Sequence, residues 1–298
     1  MSDARTTVQP GILAPVPTHA RYLTFSLTDP SAARPALNAL KTVADGNHAV
    51  VGLSESLLES LDASVTGLRA FPSSTGAGIE IPSTRGALWC WLRGDDQGAL
   101  VHATRTVCAK LAPAFECIDI IDAFKYDTGR DLSGYEDGTE NPQDDAAVAA
   151  AIVGGRGAGI DGSSFVAVQR WRHDLDRFAA LSATEQDHTI GRRKTDNEEL
   201  DDAPESAHVK RSAQESFSPE AFVVRRSMPW ANGANNGLVF VAFGHSFDAF
   251  EAILRRMAGL EDGITDALFT FTRPETGNYF WCPPMKDGRL DLSVLGLK

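Results

Sequence analysis

A glycine-rich turn near the middle of the chain presents a carboxylate that is well placed for proton chemistry. It runs Gly134-Tyr135-Glu136-Asp137-Gly138-Thr139-Glu140-Asn141-Pro142. Glycines on both sides of Asp137 let the backbone approach a flat ligand closely and aim the carboxylate at it. The same pattern is also typical of an ordinary Asx turn. An EF-hand loop is excluded, because the alternating Asp/Asn ligands and the closing Glu are absent.

His208 is the one histidine of seven that lies inside the longest polar stretch, residues 191–212. Carboxylates stand just upstream of it, and an imidazole binds metal strongly when its other nitrogen donates to a carboxylate. No H-E-x-x-H, two-histidine-one-carboxylate or clustered-histidine pattern accompanies it, so protein ligands alone do not complete a zinc site. A lone metal-binding histidine indicates haem, in which the porphyrin supplies four ligands. The alternative is a histidine of a surface loop.

Two adjacent arginines, Arg225 and Arg226, close an apolar strand-like run that begins at Phe222. Side chains alternate along a strand, so the two guanidinium groups are expected on opposite faces. One of them then points inward, where a buried guanidinium needs an anionic partner. A structural ion pair and a functional site remain equally good interpretations.

Composition excludes several classes of protein. The 298 residues carry 28 basic and 40 acidic side chains, a net charge of −12, without any block of Lys and Arg, so no nucleic-acid partner is expected. No run of 18 apolar residues and no signal sequence is found, which predicts a soluble, cytoplasmic protein without a membrane partner. The four cysteines lack C-x-x-C spacing and are interpreted as reduced core residues.

Hydrophobic periodicity predicts the elements that must position these residues. In the first half, four strands are expected with helices at Ser31–Ala44 and Asp96–Leu111 between them. The strands are Arg21–Leu27, Ala49–Leu53, Ala87–Arg93 and Phe115–Tyr126. After Gly162 the order recurs, with a helix at Ser246–Leu260 behind a Ser246 N-cap. The strands expected there are Ser164–Trp171, Phe222–Arg226, Leu238–Gly244 and Ala267–Thr272.

This recurrence predicts an α+β fold of two tandem halves with antiparallel sheets and a β-α-β-β-α-β order. We place the first half at residues 1–153, where it carries the Asp137 turn, and the second at 163–298. Between them, residues 154–162 (GGRGAGIDG) are expected to form a flexible linker. Their formal G-x-G-x-x-G lacks the preceding strand and following helix of a dinucleotide site.

The segment GYEDGTENP resembles the G-x-x-D-G motif of the dye-decolourising peroxidases, and its continuation resembles that of the B-type members. Further similar segments occur in the same order along nearly the whole chain. They are Gln9 to Leu13, Ser164 to Trp171, Ile190 to Arg192, Ser206 to Val209, Val224 to Arg225 and Thr276 to Phe280. The resemblance implies two ferredoxin-like halves of the dimeric α/β-barrel type, with one haem b per chain held in the second half.

Carried over residue by residue, the resemblance places the proximal haem ligand at His208, the distal acid at Asp137 and the distal arginine at Arg225. The carboxylate behind His208 is assigned to Asp266, although Glu205 is nearer in the chain. Arg192 is interpreted either as a partner of a haem propionate or as a solvated loop arginine. Other haem-binding positions are assigned to Thr139, Glu140 and Ser227, the last standing where several B-type members have Asn.

The implied activity is a haem peroxidase that reduces hydrogen peroxide through a ferryl intermediate and oxidises dyes, phenolics or other small one-electron donors. An alternative is haem storage or release of iron from haem without peroxidase turnover, and cargo of a protein shell is a weaker one. A homo-oligomer is expected. Trp171, Trp230, Trp281 and Tyr135 are candidate electron relays, none of them assigned. The acidic residues between Asp196 and Asp202 are interpreted as a solvated face in preference to a Mn(II) site.

Overall fold

The computed structural model describes residues 4–76 and 78–297, which form one large sheet with helices around it. The helices are α1 (Ala4–Thr7), α2 (Pro10–Leu13), α3 (Pro30–Leu40), α4 (Glu55–Ser60), α5 (Gln97–Leu111), α6 (Asp144–Ala151), α7 (Leu175–Ala179), α8 (Ala183–Ile190), α9 (His208–Ser212) and α10 (Asp248–Met257). Short 3₁₀ helices occur at Gln214–Ser216, Ala267–Thr270 and Ser293–Leu295.

The strands of the first half are β1 (His19–Leu27), β2 (Ala49–Leu53), β3 (Ser74–Gly76), β4 (Ile79–Ile81), β5 (Leu88–Gly94) and β6 (Phe115–Phe124). Those of the second half are β7 (Ser164–His173), β8 (Val224–Arg225), β9 (Met228–Asn232), β10 (Asn235–Gly244), β11 (Thr272–Pro274), β12 (Asn278–Cys282), β13 (Met285–Lys286) and β14 (Arg289–Leu290). Among the described residues, β3 and β4 form a separate two-stranded sheet, and β13 and β14 form another.

The main sheet has ten antiparallel strands in the order β11-β7-β12-β2-β5-β1-β6-β9-β10-β8. Because β7 also pairs with β10 along eight residues, from Arg172↔Gly237 to Phe165↔Gly244, the sheet closes on itself. Strands β8 and β11 are added outside this closure, against β10 and β7 respectively.

Each half contributes four strands in the same spatial order. The spatial order in the first half is β6-β1-β5-β2, and in the second half it is β12-β7-β10-β9. Counted along the chain within each half, both orders read fourth, first, third and second strand. The halves meet at two narrow junctions, Trp281↔Leu53 and Ala123↔Trp230. The prediction of an α+β fold with tandem ferredoxin-like halves is therefore confirmed.

Local sequence signals account for several helix boundaries. The carboxylate of Asp96 accepts from the backbone N–H of Ala99 at 2.6 Å and begins α5, as the sequence predicted. At α8, Ser182 and Glu185 form a reciprocal capping box. That helix ends at Gly191, whose φ of 95° is readily adopted only by glycine. The chain then enters the long polar stretch before His208.

The strand predicted at Ala267–Thr272 is wrong over most of its length. Residues Ala267–Thr270 form a 3₁₀ helix instead, and only Thr272 begins a strand. The cause is Asp266, whose Oδ1 accepts from the N–H of Leu268 at 2.8 Å and so turns the chain. The helix predicted behind a Ser246 N-cap begins later, at Asp248, and its N-cap position is occupied by Phe247 without a side-chain cap.

The two faces of the closed sheet bury different clusters. Its enclosed side holds tightly packed aromatic side chains, with Tyr22 stacked between Trp89 and Trp91 at ring-centroid distances of 6.1 Å. The outer side is covered by the helices and carries the larger apolar cluster. Residues 154–162, predicted as a linker, form a loop closed by hydrogen bonds between Val153 and Ser163 and between Gly162 and Val153.

A single methyl group on β2 is expected to disturb this packing. The Cβ of a Gly52→Ala variant would lie 2.7 Å from the Cβ of Phe280 on β12, inside the closed sheet. We expect a loss of about 1–3 kcal/mol in the free energy of unfolding, measured with urea. Gly154→Ala is the control, since no atom of the described residues lies within 4 Å of the Cβ that it would add. Equal stability of both variants would contradict this packing.

Candidate functional site

His208 begins the short helix α9 and is held from behind by a carboxylate. Its Nδ1 lies 2.7 Å from Oδ2 of Asp266, a side chain with 0% exposure. Glu205, the alternative partner, instead accepts from Lys210 at the surface. This bond uses Nδ1 of His208. The other ring nitrogen, Nε2, has no hydrogen-bond partner in the described part of the chain and is therefore free to bind a metal.

A second contact fixes helix α9 relative to the rest of the second half. Arg211 donates two hydrogen bonds of 2.7 Å to the carboxylate of Asp262 and a third to the carbonyl of Arg256 at the end of α10. The hydrogen bond from Arg211 lowers the pKa of Asp262 to about 2, so this pair stays ionised throughout the physiological range. The position of His208 is thus determined by two carboxylates from the segment after α10.

Asp137 lies in the glycine-rich turn and lines the same cavity as His208. Both neighbouring glycines adopt positive φ angles, 89° at Gly134 and 74° at Gly138, as the turn requires. Burial raises the pKa of Asp137, and the positive charge of Arg225 offsets only part of that rise. The negative charge of Asp131 raises the pKa of Asp137 further. This carboxyl group is therefore easier to protonate than an ordinary aspartate.

Arg225 belongs to β8 and faces the same cavity as Asp137. Its Nε is buried and has no hydrogen-bond partner among the described residues. Arg226 points the other way, as strand alternation predicted, and donates to the carbonyls of Ile12 and Leu13. Burial lowers the pKa of Arg226 to about 10. Only Arg225 of the two arginines thus contributes a guanidinium group to the cavity.

Asn141 docks the turn that carries Asp137 onto the strand that carries Arg225. Its side-chain amide accepts from the backbone N–H of Arg225 at 2.7 Å and donates to the carbonyl of the same residue at 3.0 Å. Gln214 adds a second connection, because it donates to the carbonyl of Glu140 and accepts from the N–H of Val223. These four bonds set the position of the acid relative to the guanidinium.

His208, Asp137 and Arg225 all line one cavity of about 1030 Å³, counting its mouth. That size suits a large organic ligand. Much of the wall is apolar, formed by Ile190, Val223, Leu238, Phe240, Phe250, Ile253, Leu254, Met257, Leu268 and Phe271. No group of three or more metal-ligating side chains occurs in residues 4–76 and 78–297. A metal bound by His208 would therefore need ligands that the protein does not supply.

Four of the predicted binding residues do not line this cavity: Arg192, Thr139, Glu140 and Ser227. Arg192 is paired with Glu140 at 2.7 Å and Glu199 at 3.3 Å, and Thr139 is exposed. The hydroxyl of Ser227 accepts from the N–H of Val241 and lines a separate outer groove that also touches Asp137 and Arg225. The structure places these residues around the site rather than within it.

Comparison with known proteins identifies the family. A sequence model described as "Dyp-type peroxidase, C-terminal" matches residues 128–287, more than half of the chain. The chain belongs to the Dyp-type peroxidase family.

Dyp-type peroxidases of known sequence support this assignment. The chain is 33% identical over 248 residues to a dye-decolorizing peroxidase of Rhodococcus erythropolis, covering 80% of this chain and 73% of that protein. It is 32% identical over 222 residues to a dye-decolorizing peroxidase of Mycolicibacterium paratuberculosis, covering 72% of this chain but only 63% of the relative. This chain thus matches less than two thirds of the latter relative's length.

Solved structures of Dyp-type peroxidases share the fold. A dye-decolorizing protein from Vibrio cholerae superimposes with a TM-score of 0.85 at 27% identity, covering 97% of this chain and 99% of that one. A variant of DypB from Rhodococcus jostii in complex with heme gives a TM-score of 0.82 at 27% identity, with coverages of 91% and 94%. The B-type resemblance noted in the sequence agrees with this neighbour. No helix in the described ranges is long and apolar enough to cross a membrane.

The cavity also contains polar residues that the sequence reasoning missed. Gln169 and His173 project from the same face of β7 as Trp171, and all three line the cavity. The Nε2 of Gln169 is buried without a partner among the described residues, and His173 lies 2.9 Å from Asp131. Their spacing of two residues along an apolar strand was a usable signal, since it places polar groups on one face.

Removing the amide of Asn141 is expected to loosen this family member's Asp137 turn. An Asn141→Ala variant leaves the N–H of Arg225 without its acceptor, which costs about 1–3 kcal/mol. Faster hydrogen exchange at the Arg225 amide and a lower unfolding free energy would report the loss. Gln143→Ala is the control, because Gln143 makes a comparable but exposed bond to the carbonyl of Asn141. Indistinguishable exchange in the two variants would contradict the docking role.

Proposed function

We propose that the chain is a haem b peroxidase that reduces hydrogen peroxide at the expense of dyes, phenolics or other small aromatic one-electron donors. The observation that carries the proposal is the free Nε2 of His208 in a large apolar cavity that Asp137 and Arg225 also line. The overall reaction joins one peroxide to two donors. Peroxide gains two electrons and two protons to give two waters, and each donor loses one electron and one proton.

The cavity fits haem for chemical reasons. A porphyrin needs apolar walls and one protein ligand for its iron, and His208 is a single imidazole with a free nitrogen. The unpartnered Nε of Arg225 and Nε2 of Gln169 are two donors that a bound ligand or water would satisfy. The structural neighbours from Rhodococcus jostii include complexes with heme. We assign one haem b to this cavity, held by the second half.

The proposed role of His208 is to hold the haem by binding its iron through Nε2. Asp266 accepts the Nδ1 proton, which fixes the tautomer and gives the imidazole anionic character. The second oxygen of Asp266 is already engaged by the N–H of Leu268, so the carboxylate cannot rotate away without breaking a second bond. This arrangement makes the ligand both well oriented and electron-rich.

Bound haem supplies an iron atom that coordinates peroxide and provides electrons for cleavage of its O–O bond. Asp137 is the proposed proton shuttle: its ionised carboxylate takes a proton from the inner peroxide oxygen and delivers it to the outer one. Arg225 holds a fixed positive charge that would stabilise the negative charge developing on the outer oxygen, which leaves as water after it receives the proton, in a cavity of low dielectric constant. The unpartnered Nε of Arg225 leaves an N–H available for this purpose.

Four residues around the cavity keep their proposed haem-binding roles. Arg192 is proposed to hold a propionate by two-pronged pairing, which would replace its ion pairs with the carboxylates of Glu140 and Glu199. Thr139, Glu140 and Ser227 are proposed to complete the rim of the site. A cytoplasmic location and a homo-oligomeric state stay predictions from the sequence.

Replacement of His208 tests the proposed function. We expect the wild-type protein to bind hemin in a spectrophotometric titration and to oxidise a phenol when peroxide is added. His208→Ala should weaken hemin binding by more than about a hundredfold, because even a partner of the ligand is typically worth roughly 10–100-fold. His102→Ala, on the exposed surface of α5, is the control. A protein that binds hemin but turns over no donor would favour haem storage or iron release instead.

The pH dependence of peroxide reduction tests the role of Asp137. Its carboxylate must be ionised to accept a proton, so the rate falls as pH drops through the pKa of Asp137. Burial and then Asp131 raise that pKa against the charge of Arg225. Asp131→Asn removes a negative charge, so the acid limb should move to lower pH, as measured by stopped-flow kinetics. Asp196→Asn, an exposed carboxylate paired with Arg193, should leave it in place. A shift to higher pH in Asp131→Asn would reject the assignment.

A further inference from the structure

The strand that carries Arg225 is very short. Strand β8 consists of Val224 and Arg225 alone, and it pairs with β10 at the end of the main sheet. Strand β9 continues along β10 in the same register from Met228, whereas Arg226 and the residue after it belong to neither strand. Two residues supply few backbone hydrogen bonds of their own, so the backbone of Arg225 depends on side chains for the rest. Asn141 supplies two of these contacts.

A segment near the start of the chain, residues 9–16, lies beside this region, and we call it the N-terminal strap. It is anchored at Gln9, whose side chain is buried. The amide of Gln9 donates to the carbonyls of Val51 and Pro283 at 2.8 and 3.0 Å and accepts from the N–H of Val51 at 2.8 Å. Near its other end, Pro15 lines the outer groove beside the candidate site. The strap is therefore a fixed support next to that site.

Arg226 joins the N-terminal strap to the backbone of Arg225. Its Nε donates to the carbonyl of Ile12 at 3.1 Å, and one terminal nitrogen donates to the carbonyl of Leu13 at 2.8 Å. The other terminal nitrogen donates to the carbonyl of Arg225 at 3.0 Å. That carbonyl also accepts from Asn141, so two side chains hold it. Because a guanidinium group is planar and rigid, it holds the three carbonyls in one fixed arrangement.

Arg226 is a costly residue for a purely structural link. Burial, and then the charge of Arg93, lower the pKa of Arg226 to about 10. Its partners are backbone carbonyls, and no salt bridge among the described residues includes it. A buried charge without an anionic partner is unfavourable. Such local costs are expected where a functional group must be held in place.

Arg93 provides an internal comparison. It is also a buried arginine that binds the strap, through the carbonyl of Pro15 at 2.5 Å. Its second bond, of 2.8 Å, goes to the carbonyl of Asn47. Neither bond reaches Arg225. Both arginines thus hold the strap, but Arg226 is the one that also binds the residue facing the cavity.

We propose that Arg226 is a positioning residue for Arg225: it ties the backbone of Arg225 to the N-terminal strap and thereby fixes the place of the Arg225 guanidinium relative to Asp137. The inference rests on the proposed function, in which the charge of Arg225 assists the cleavage of peroxide. Arg226 itself does not line the cavity. It acts from the other side of the strand, through the carbonyl of Arg225.

Hydrogen exchange in the haem-free protein tests the positioning directly. In Arg226→Lys the charge remains, but a single ammonium group cannot hold three carbonyls in a planar fork. We expect the amide of Arg225 to exchange at least about tenfold faster than the loss of global stability accounts for, because its segment opens locally. Arg93→Lys is the matched control, which should lose stability as well but show no excess exchange at Arg225.

The haem-loaded protein gives a second readout, the pH dependence of its reaction with peroxide. Burial raises the pKa of Asp137, the charge of Arg225 lowers it, Asp131 raises it further and His208 lowers it. If Arg225 moves away in Arg226→Lys, the pKa of Asp137 rises and the acid limb moves to higher pH, although the net charge is unchanged. The rate above this limb should fall about tenfold, since a small displacement of a catalytic group can cost up to about a hundredfold. The control variant should change neither.

The outcomes separate positioning from simple stabilisation. Excess exchange at Arg225 together with a slower reaction and a shifted acid limb, all confined to Arg226→Lys, supports the proposal. Equal effects in Arg93→Lys, or no excess exchange in Arg226→Lys, overturns it. Excess exchange with an unchanged rate and acid limb also overturns it, because the backbone would then move without moving the guanidinium.

Two further results have a defined meaning. If Arg226→Lys does not fold, Arg226→Met takes its place in the exchange experiment, since a neutral side chain of similar length leaves no unpaired buried charge. Failure of both variants to fold would assign Arg226 to stability alone and overturn the proposal. A wild-type protein that does not react with peroxide when loaded with haem would reject the proposed function, whereas exchange without haem would still report whether Arg226 holds Arg225 in place.

Discussion

The pairing of β7 with β10 is the constraint on which the rest of this structure depends. It closes the sheet, and its register decides which side chains of the second half face the helices and which face the enclosed aromatic cluster. Opposed residues of an antiparallel pair point to the same side, so Gln169 and Phe240 share a face, as do Trp171 and Leu238. Arg225 joins that face through its pairing with Ala242. A shift of the strand register by one residue would turn the side chains of this face toward the enclosed side of the sheet.

The residues opposite that face are placed by polar contacts rather than by apolar packing. Asn141 and Gln214 join the Asp137 turn to the strand region around Arg225, and Asp266 holds His208 from the segment after α10. These contacts link segments that are far apart in the chain. Asn141 and Gln214 each use both the donor and the acceptor of their side-chain amide, and Asp266 uses both of its carboxylate oxygens. Such doubly engaged groups restrict rotation, so the site is preorganised before any ligand binds.

The fold was largely predictable because its elements carry local signals. Helix α5 was predicted from apolar spacing behind Asp96, and β2 was predicted at its observed bounds, Ala49–Leu53. The failures have tertiary causes. Ala267–Thr270 has strand-like composition, but Asp266 turns it into a 3₁₀ helix while it binds His208. No local pattern distinguishes Asp266 from Glu205 as that partner, because the choice depends on how α9 packs beside α10.

The candidate site was predictable only where a motif carried it. Asp137, Arg225 and His208 came from short segments with recognisable spacing, and the structure places all three on one cavity. Gln169 lay within a segment already noted for its resemblance, and His173 lay two residues beyond that segment, yet both were interpreted as ordinary strand residues. Arg192 was identified from its segment, but its partners were not predictable. Its guanidinium is paired with two surface carboxylates that no spacing rule indicates. Side-chain partners of loop residues depend on where distant loops meet.

Two carboxylates in the same loop show how the surroundings divide their functions. Burial acts on both, but at Asp131 the hydrogen bond and charge of His173, together with hydrogen bonds from Ser133, outweigh it and hold the pKa of that carboxyl below its ordinary value. Asp137 receives no such hydrogen bond from a side chain of the described residues, so burial prevails and raises its pKa. Asp131 therefore stays an anion at neutral pH and adds to the rise at Asp137. When the surroundings shift the pKa values of two carboxyl groups in opposite directions, one group stays a fixed charge and the other can exchange protons. In this loop Asp131 is the fixed charge, and Asp137, whose pKa is raised, is the group suited to proton exchange.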